Sequence, residues 1–432
     1  MTTTQIIEKD ANYTCTIVQD FQLKPAIGFD NLKMVTLFGY NCLVSKDTNP
    51  NEQHLFFPAE TQIDEKFLSA NNLFRNSELN EDKEKKGFFE PSGRVKAIKM
   101  RGIVSSGFLI PITSLENTLK KKVEIETGTE LHIVAWYKLC EKYRRPEAPV
   151  KYTKQERRKQ EVEKFDIVIP NQFRLHEDTR HFLRFLSEFE DGDLVTITEK
   201  LHGTSAVFSN VLVRRELKLK DKIAKLFGVE VNDKQYYNLY SSRNVIKNKE
   251  IKGNENLNGG YYGTDLWGTW AEKLKDKIEK GLTLYGEIVW YKDTGSEIQK
   301  GYHYGCKKWE NQFYVYRITY TTPDGNVIEF NHDEIIQYCQ EKEINVVPLI
   351  AQFKHYKYDN TNLFTDDIIR RSGDIEVMCP MNNFEVPREG VVIRRDNKPF
   401  YGAYKWKSQL FLTHETKMLD QNVADTEEDQ KI

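Results

Sequence analysis

Short apolar runs separated by turn-forming residues make up the first part of the chain. They are rich in Val, Ile, Thr and aromatic residues, and Asp, Asn, Gly and Pro lie between them, which is typical of strands joined by turns. The runs are TCTIVQDF, MVTLFGYNCLV, HLFFP, RVKAIKM and SGFLIPI. Several short strands in about a hundred residues predict a small barrel or sandwich, with a five-stranded OB-type barrel among the choices.

The pattern changes between Gly128 and Phe165. HIVAWYKLCEKY predicts a helix, whereas PEAPVKYTKQERRKQEVEK is charged, contains prolines and is poor in apolar residues. The latter composition is typical of a linker or an exposed helix. We therefore predict a first domain at 1–127 and a helical, charged connector at 128–165.

From about Asp166 strands and helices alternate in a second domain. Apolar residues at helical spacing predict helices in HFLRFLSEF, RRELKLKDKIAKLFG, WAEKLKDKIEKG and DEIIQYCQEKEI. Many predicted strands follow one another without a helix between them, so an α+β fold of antiparallel strands is favoured over a doubly wound sheet. We predict that this domain covers 166–419 and that the acidic, polar residues 420–432 form a disordered tail.

Composition and charge add limits to this picture. A length of 432 residues favours two domains, and a net charge of -2 means that a nucleic-acid partner must be inferred from local basic segments. No run is long and apolar enough to span a bilayer, and the N-terminus lacks a signal peptide's apolar stretch. Six scattered cysteines argue against a zinc site or disulfide framework and favour the cytoplasm or another reducing compartment.

The segment TITEKLHGTS contains the first candidate for catalysis. A predicted strand ends at Lys200, and Gly203 follows three residues later. A lysine at the end of a rigid strand, before a glycine that lets the chain turn, is well placed to act as a nucleophilic amine. The spacing Lys-x-x-Gly is common, so by itself it favours a surface lysine before a turn.

Three further segments carry charged residues in strands. Glu287 lies in YGEIVWY, Glu389 begins the strand of PREGVVIRR, and Lys405 and Lys407 lie in YKWKS. The two lysines share one face of their strand because alternate residues point the same way. Each feature alone has a structural alternative: a paired carboxylate, a turn cap or a solvated strand edge.

Together and in this order, these segments resemble the signature of the covalent nucleotidyltransferases, the superfamily of polynucleotide ligases and mRNA capping enzymes. KLHG, SSRN, LYGE, FYVYRI, EGVVI and KWKS are similar to motifs I, Ia, III, IIIa, IV and V. EKLHGTS, with His before the glycine, resembles the phage type-2 RNA ligases. FFPAETQIDEKFLSANNLF and GRVKAIKMRGIVSSG resemble the N-terminal OB module of one class of RNA ligase. The short sequence after Lys407 leaves no room for the OB domain that follows motif V in DNA ligases and capping enzymes.

The resemblance implies a fold, an activity and partners. The expected fold is α+β: an N-terminal OB-like β-barrel followed by a nucleotidyltransferase (ATP-grasp-like ligase) domain of antiparallel sheets and helices. The expected activity is ATP-dependent sealing of RNA 3′-hydroxyl and 5′-phosphate ends through lysyl-AMP, in RNA repair. ATP and Mg²⁺ or Mn²⁺ are the expected cofactors, no membrane partner is expected, and a monomer is the expected state. A nicked duplex, a cleaved tRNA loop and free single strands all remain open as substrates.

The resemblance also implies catalytic and metal-binding roles. Lys200 is expected to attack the α-phosphate of ATP, and Lys405 and Lys407 to favour its unprotonated form and to offset phosphate charge. Glu389, a further catalytic residue, is expected to hold a hydrated metal ion with Glu287, since Mg²⁺ usually takes only one or two protein carboxylates. Glu287 could instead bind the ribose hydroxyls.

The remaining nucleotide contacts follow from the same motifs. Tyr316 is expected to stack on the adenine, and Glu199 to accept a hydrogen bond from its amino group. Arg243 is expected to bind a phosphate or the ribose. His202 and Gly203 complete motif I, although His202 could equally be a packing residue. Two positions depart from the family, Arg317 and Ser205, and no role is assigned to either.

A basic segment of the first domain is the candidate RNA contact. It contains Arg94, Lys96, Lys99 and Arg101. A basic strand on an OB-like barrel suits a phosphate backbone, whereas the structural alternative is an edge strand protected by lysines. Two rival functions also remain at this point: a DNA ligase or mRNA guanylyltransferase of the same superfamily, and a catalytically inactive RNA-binding protein.

Overall fold

The computed structural model describes residues 13–144, 167–248, 265–292, 295–357 and 361–421. The chain divides into two compact units, each assembled from more than one segment. The first contains Met1–Arg145, Arg180–Leu186 and Trp406–Ala424, and the second contains Pro146–Thr179, Ser187–Lys405 and Asp425–Ile432. The predicted domains follow one another along the chain, whereas each of these units draws on distant parts of it.

The described residues form seven α-helices and a larger number of short strands. The helices are α1 (Glu65–Ala70), α2 (Thr113–Leu119), α3 (Leu219–Leu226), α4 (Leu266–Leu274), α5 (His332–Glu341), α6 (Thr361–Arg371) and α7 (Gln409–Asp420). Helices α1, α2 and α7 belong to the first unit and α3 to α6 to the second.

The first unit contains fourteen of the described strands. They are β1 (Cys15–Val18), β2 (Lys24–Pro25), β3 (Leu32–Leu37), β4 (Tyr40–Ser45), β5 (His54–Pro58), β6 (Thr61–Ile63), β7 (Ile98–Met100), β8 (Ile103–Ser105), β9 (Gly107–Pro111), β10 (Glu130–Leu131), β11 (Ile133–Val134), β12 (Tyr137–Lys138), β13 (Cys140–Lys142) and β14 (Arg180–His181). The main sheet has the order β10-β1-β5-β9, and a second has the order β2-β3-β4. Strand β5 is buried along its whole length, and its Leu55 and Phe57 pack in one core with Phe67 of α1 and Leu115 of α2.

The strands of the first unit do not join into one closed sheet within the described residues. Besides the two sheets above, β6 pairs with β13, β7 with β8, and β11 with β12. All of these pairings are antiparallel. The abundance of short strands in this region is therefore confirmed, and the OB-like barrel stays a prediction.

Two helices expected from the sequence are absent from the described residues. HIVAWYKLCEKY was predicted to be helical, but it forms β11, β12 and β13. Ala135 and Trp136 have φ values of 49° and 69°, the left-handed values that a tight hairpin turn requires and a helix excludes. HFLRFLSEF contains two single 3₁₀ turns, Phe182–Arg184 and Leu186–Glu188, because Phe185 between them leaves helical values with φ -123°. The charged part of the connector lies outside the described residues.

The second unit is built on antiparallel sheets. Its strands are β15 (Leu194–Glu199), β16 (Thr204–Arg214), β17 (Lys234–Ser241), β18 (Leu282–Trp290), β19 (Asn311–Thr321), β20 (Val327–Glu329), β21 (Asn345–Val346), β22 (Leu349–Lys354), β23 (Gly390–Arg395) and β24 (Ala403–Lys407), whose last two residues belong to the first unit. One sheet has the order β17-β16-β18-β19-β20, with β21 parallel to β19. In another, β15 lies between β22 and β23. An α+β fold of mostly antiparallel sheets is therefore confirmed.

A large apolar core supports the first of these sheets. Phe208, Leu284 and Phe313 come from its strands, Trp267 from α4 and Ile335 from α5, and all five side chains are buried. Helices α3 and α5 correspond to segments predicted to be helical, whereas α6 and α7 were not predicted. The helix predicted over residues 270–281 lies earlier in the chain, as α4 (Leu266–Leu274), and residues 275–281 are not helical. Ser408 caps α7 by accepting a hydrogen bond from the Phe411 N–H. The predicted disordered tail begins at Asp420, the last residue of α7, and the rest of it lies outside the described residues.

None of the helices in the described part of the chain combines the length and the apolar character needed to cross a membrane.

Candidate active site

Lys200 follows directly on a buried strand. Strand β15 is paired on both sides, and the Lys200 N–H donates to the Gly390 carbonyl at 3.1 Å, which fixes its backbone. Its Nζ lies 2.7 Å from Oε1 of Glu389, whose side chain is 1% exposed, while the lysine side chain is 15% exposed. A rigid strand end therefore presents an amine that is ion-paired with Glu389 and lines the cavity with its side chain 15% exposed.

Gly203 sits where a side chain has no room. A Cβ at this position would lie 2.5 Å from the Ile288 carbonyl oxygen, a backbone atom of β18. Beside it, the His202 N–H donates to Oη of Tyr304 at 2.6 Å, and the His202 ring packs edge-on against Tyr302 with centroids 4.8 Å apart. The turn after Lys200 is thus held against β18 by close packing.

Two strands of the large sheet contribute Glu287 and Tyr316 to the same cavity. Glu287 on β18 is opposite Ser205 on β16 and is buried. Burial, with the negative charge of Glu287, raises the pKa of Tyr316 well above its ordinary value. The Tyr316 Oη lies 2.8 Å from Nδ1 of His176.

The cavity contains predicted and unpredicted residues, all from the second unit. Those that the sequence singled out are Lys200, Glu199, Glu287 and Tyr316; the others are His176, Thr179, Thr196, Thr198, Leu201, His332, Val347, Val392, Arg394, Tyr401 and Ala403. The sequence could have indicated Arg394, since it alternates with Val392 along β23 and so points to the same face of that strand. It contained no feature that indicated His176 or His332, because each is a single histidine far from the motifs.

Glu199 has a partner that the sequence did not suggest. Nε and Nη2 of Arg388 donate to its two carboxylate oxygens at 2.9 and 2.7 Å. Burial raises the pKa of Glu199, while Arg388 opposes that shift. The carboxylate expected to meet the adenine amino group is therefore held in a buried ion pair in this structure.

Arg243 pairs with a carboxylate rather than standing alone. Its Nη2 donates to Oδ1 of Asp178, and Nε2 of His176 lies 3.4 Å from the same oxygen. Burial would raise the pKa of Asp178, but His176, Arg243 and Lys405 together lower it well below its ordinary value. Asp178 is therefore a stable anion that contacts both Arg243 and His176.

Lys405 and Lys407 have different partners although they share a strand. The charge of Lys405 acts on Asp178 in the second unit. In the first unit, Nζ of Lys407 lies 2.9 Å from Glu415 and 5.0 Å from the centre of the Phe411 ring, both on α7. Helix α7, which the sequence analysis did not predict, supplies both of these contacts.

The described residues offer a pair of carboxylates for a metal ion, not a larger cluster. Among them, no three His, Cys, Asp or Glu side chains come together as a metal-holding group. Glu287 and Glu389 are both buried carboxylates, and such a pair fits a hydrated Mg²⁺ or Mn²⁺, which keeps several of its waters.

The basic segment of the first unit divides into buried and exposed halves. Arg94 is a correction to the predicted RNA contact: its side chain is 2% exposed and binds Glu60 at 2.7 Å and Asp420 at 3.3 Å. Lys96 pairs with Asp420 at 3.0 Å. Lys99 on β7 and Arg101 in the following turn are exposed, although Arg101 also donates to the Gly28 carbonyl.

The two residues without assigned roles are both buried. Arg317 binds Glu329, with Nε to Oε2 at 3.0 Å, and its guanidinium lies 4.0 Å from the centre of the Tyr401 ring. Ser205 is 1% exposed beside Glu287. Arg317 therefore has a structural explanation in its ion pair and ring contact.

Residues 193–407 match the family model described as RNA ligase. No curated protein matches the chain in sequence. Among solved structures, a Naegleria gruberi RNA ligase with a lysine-to-methionine substitution, with AMP and Mn, is 14% identical with a TM-score of 0.55, over 93% of this chain and 98% of that one. A glutamate-to-alanine variant with ATP and Mn is 15% identical with a TM-score of 0.57, over the same shares. At these identities the likeness establishes a common fold.

Proposed function

We infer that this chain, which belongs to the RNA ligase family over residues 193–407, is an ATP-dependent RNA ligase that works through a lysyl-AMP intermediate on Lys200. The Naegleria gruberi RNA ligases of similar fold are described with ATP or AMP and Mn, which supports the same nucleotide and a divalent cation here. The observation that carries the assignment is the amine of Lys200, 2.7 Å from buried Glu389, in one cavity with Glu287 and Tyr316.

In the first step the Nζ of Lys200 attacks the α-phosphorus of ATP. A nitrogen–phosphorus bond forms, the bond to the bridging oxygen breaks, and pyrophosphate leaves. The amine must lose a proton, and the Glu389 carboxylate, 2.7 Å away, is the group placed to accept it. Because Glu389 is held at the start of β23, donor and acceptor are already in position.

Two transfers then consume the lysyl-AMP. An oxygen of the RNA 5′-phosphate attacks the AMP phosphorus and releases the Lys200 amine, which gives an RNA end joined to AMP through a pyrophosphate link. The RNA 3′-hydroxyl attacks the 5′-phosphorus, a phosphodiester bond forms, and AMP leaves. Lys405, and by the family resemblance Lys407, offsets negative charge as the phosphates rearrange.

The remaining side chains orient the nucleotide. The Tyr316 ring stacks on the adenine, and Arg243 binds a phosphate or the ribose once it is drawn from Asp178. Glu199 and His202 adjoin Lys200, and Gly203 lets the backbone approach β18 closely.

Glu287 and Glu389 would hold the metal ion. Both are buried carboxylates; Glu389 pairs with the Lys200 amine and Glu287 lines the same cavity. Carboxylate oxygens are the donors that Mg²⁺ and Mn²⁺ prefer. When bound, the ion supplies positive charge that stabilises the phosphate oxygens during transfer.

For RNA contact we propose the exposed part of the basic segment, Lys99 and Arg101, on a module of OB-like character. Phosphate contacts of this kind need accessible cations. A role in RNA repair, a monomeric state and a reducing compartment are parts of the same proposal. The six cysteines are all free thiols, which supports the last of these.

The direct test is labelling with α-labelled ATP or GTP and Mg²⁺. We expect label from ATP that survives denaturation, disappears in Lys200→Ala and persists in Lys220→Ala, an exposed lysine on α3 that serves as the matched control. Label from GTP, or label that survives in Lys200→Ala, would overturn the assignment.

A second experiment identifies the polynucleotide. The labelled enzyme is incubated with RNA and DNA carrying 3′-hydroxyl and 5′-phosphate ends, as a nicked duplex, a cleaved stem-loop and a single strand. Sealing of RNA in one of these forms is expected, and sealing of DNA alone would contradict the proposal.

A further inference from the structure

A chain of polar contacts connects two residues assigned above to nucleotide binding. Oη of Tyr316 lies 2.8 Å from Nδ1 of His176. On the other side of the imidazole, Nε2 lies 3.4 Å from Oδ1 of Asp178, and that oxygen also accepts from Arg243. The four side chains thus form a series of contacts from Tyr316 in the cavity wall to the guanidinium of Arg243. Tyr316 lies on β19, whereas Arg243 lies in the loop after β17.

The direction of these bonds follows from the protonation of Tyr316. A tyrosine hydroxyl keeps its proton at neutral pH, so it can donate to Nδ1 of His176, 2.8 Å away. A neutral imidazole then carries its proton on Nε2, which faces the Asp178 carboxylate. Both ring nitrogens are used, so the imidazole has one orientation that satisfies both neighbours.

The contacts limit how the Tyr316 ring can turn. His176 packs edge-on against it, with ring centroids 6.2 Å apart and planes at 88°. His176 itself lines the cavity, and its side chain is only 14% exposed. A ring held at its hydroxyl has fewer orientations available to its face, which is the property that a stacking surface for a base requires.

We propose that His176 and Asp178 are positioning residues for ATP. His176 holds the face of Tyr316 in place for the adenine, and Asp178 holds Arg243. The proposal rests on the assignment of this cavity as the ATP site. Neither residue reacts with the nucleotide. They lower the entropy cost of ATP binding, because Tyr316 and Arg243 are already ordered before the nucleotide arrives.

The test is the KM for ATP in lysyl-AMP formation, measured separately from the maximal rate. Tyr316→Phe keeps the ring and removes Oη, and His176→Phe removes both ring nitrogens. Tyr316→Phe breaks only the bond to His176, whereas His176→Phe breaks that bond and the contact with Asp178. We expect Tyr316→Phe to raise the KM about fivefold and His176→Phe to raise it at least as much, with the maximal rate nearly unchanged in both. Because both variants lack the same Tyr316–His176 bond, the double variant should resemble His176→Phe.

Two conservative variants separate the contact of His176 with Tyr316 from its contact with Asp178. The side-chain oxygen of His176→Asn can lie near the position of Nδ1 and accept from Tyr316, whereas the amide of His176→Gln can lie near that of Nε2 and donate to Asp178. We expect Asn to recover most of the wild-type KM and Gln to recover less, because the Tyr316 bond governs stacking. If His176 only supported the fold, His176→Asn and His176→Gln would restore the KM equally.

Tyr338→Phe is the matched control, because its hydroxyl donates to the Lys277 carbonyl at 2.6 Å elsewhere in the same unit. It should leave the KM unchanged. Additive effects of Tyr316→Phe and His176→Phe, or an unchanged KM in both, would overturn the proposal. If His176→Phe does not fold, Tyr316→Phe with His176→Asn still decides. Wild-type protein that forms no lysyl-AMP would instead reject the ligase assignment itself.

Discussion

Each of the two units contains a buried carboxylate paired with a cation at 2.7 Å, yet the two pairs serve different ends. In the second unit Nζ of Lys200 meets Glu389, and the lysine is 15% exposed along the cavity. In the first unit Arg94 meets Glu60 and is only 2% exposed, and Asp420 of α7 also binds it. Access to the cation, not the strength of the pair, distinguishes a reactive site from a structural one.

The difference also lies in the geometry of the cation. Arg94 forms two parallel bonds to Glu60, at 2.9 and 2.7 Å, an arrangement that holds a carboxylate firmly. Lys200 meets Glu389 through a compact ammonium that can lose a proton and turn towards a ligand. A basic residue in a strand is therefore weak evidence for a binding surface until its partner is known.

The largest expected effect distinguishes Glu389 of the second unit from Glu60 of the first. We expect Glu389→Gln to lower the rate of lysyl-AMP formation about 1,000-fold, because the amide can neither take the lysine proton nor hold the metal ion as a carboxylate does. Single-turnover labelling with ATP measures the rate. Glu60→Gln is the matched control and should label normally. Equal losses in both variants would mean that the Glu389 pair, too, acts through folding.

The next largest effect concerns stability. Arg94→Leu should lower the free energy of unfolding of the first unit by about 3 kcal/mol at pH 8, because it leaves Glu60 buried without its cation. Arg75→Leu is the control, since Arg75 pairs with Glu90 at 2.8 Å on the surface, where it is 68% exposed. Urea unfolding should reveal a much smaller loss there. A similar loss in both would remove the distinction between the buried and exposed pairs.

The pH dependence of stability tests the same buried pair. Burial raises the pKa of Glu60 from 4.5 to about 7, against the opposing charge of Arg94. Between pH 4.5 and about 7 the folded state keeps a proton on Glu60 that the unfolded state has lost. The contribution of Glu60 to the free energy of unfolding is therefore fully present below pH 4.5. It falls as the pH rises towards 7. Glu60→Gln should lack this fall, which is at most about 1.4 kcal/mol per pH unit. Parallel pH profiles for variant and wild type would contradict the shift.

The smallest expected effect concerns RNA affinity. Replacing both Lys99 and Arg101 by Ala should reduce the slope of log K against log[salt] for single-stranded RNA by about 1.4, from the loss of two phosphate contacts. Lysyl-AMP formation should not change. Lys120 and Lys138, which are exposed but already ion-paired, provide the control double variant. An equal change in that control would show that the effect is one of total charge.

The motifs predicted the second unit well. The resemblance to RNA ligases is confirmed by the family match, and Lys200, Glu287 and Glu389 lie at or in the strands expected of them. Those segments are continuous apolar runs with a charged residue at a fixed offset, so the local sequence decides both the strand and the position of the charge. The helix expected over residues 132–143 was wrong, since the positive φ of Ala135 and Trp136 has no signature in apolar spacing.

The sequence by itself determined the order of the strands that carry the motifs and indicated Lys200 as the candidate nucleophile. Only the tertiary structure decided the partners: His176 meets Tyr316 across 140 positions, and Arg94 meets Asp420 across 326. Strand formation depends on the alternation of neighbouring side chains, which a short segment contains. Ion pairs and hydrogen bonds depend on which distant groups the packed core brings within 3 Å or so of each other, and no local pattern encodes that distance.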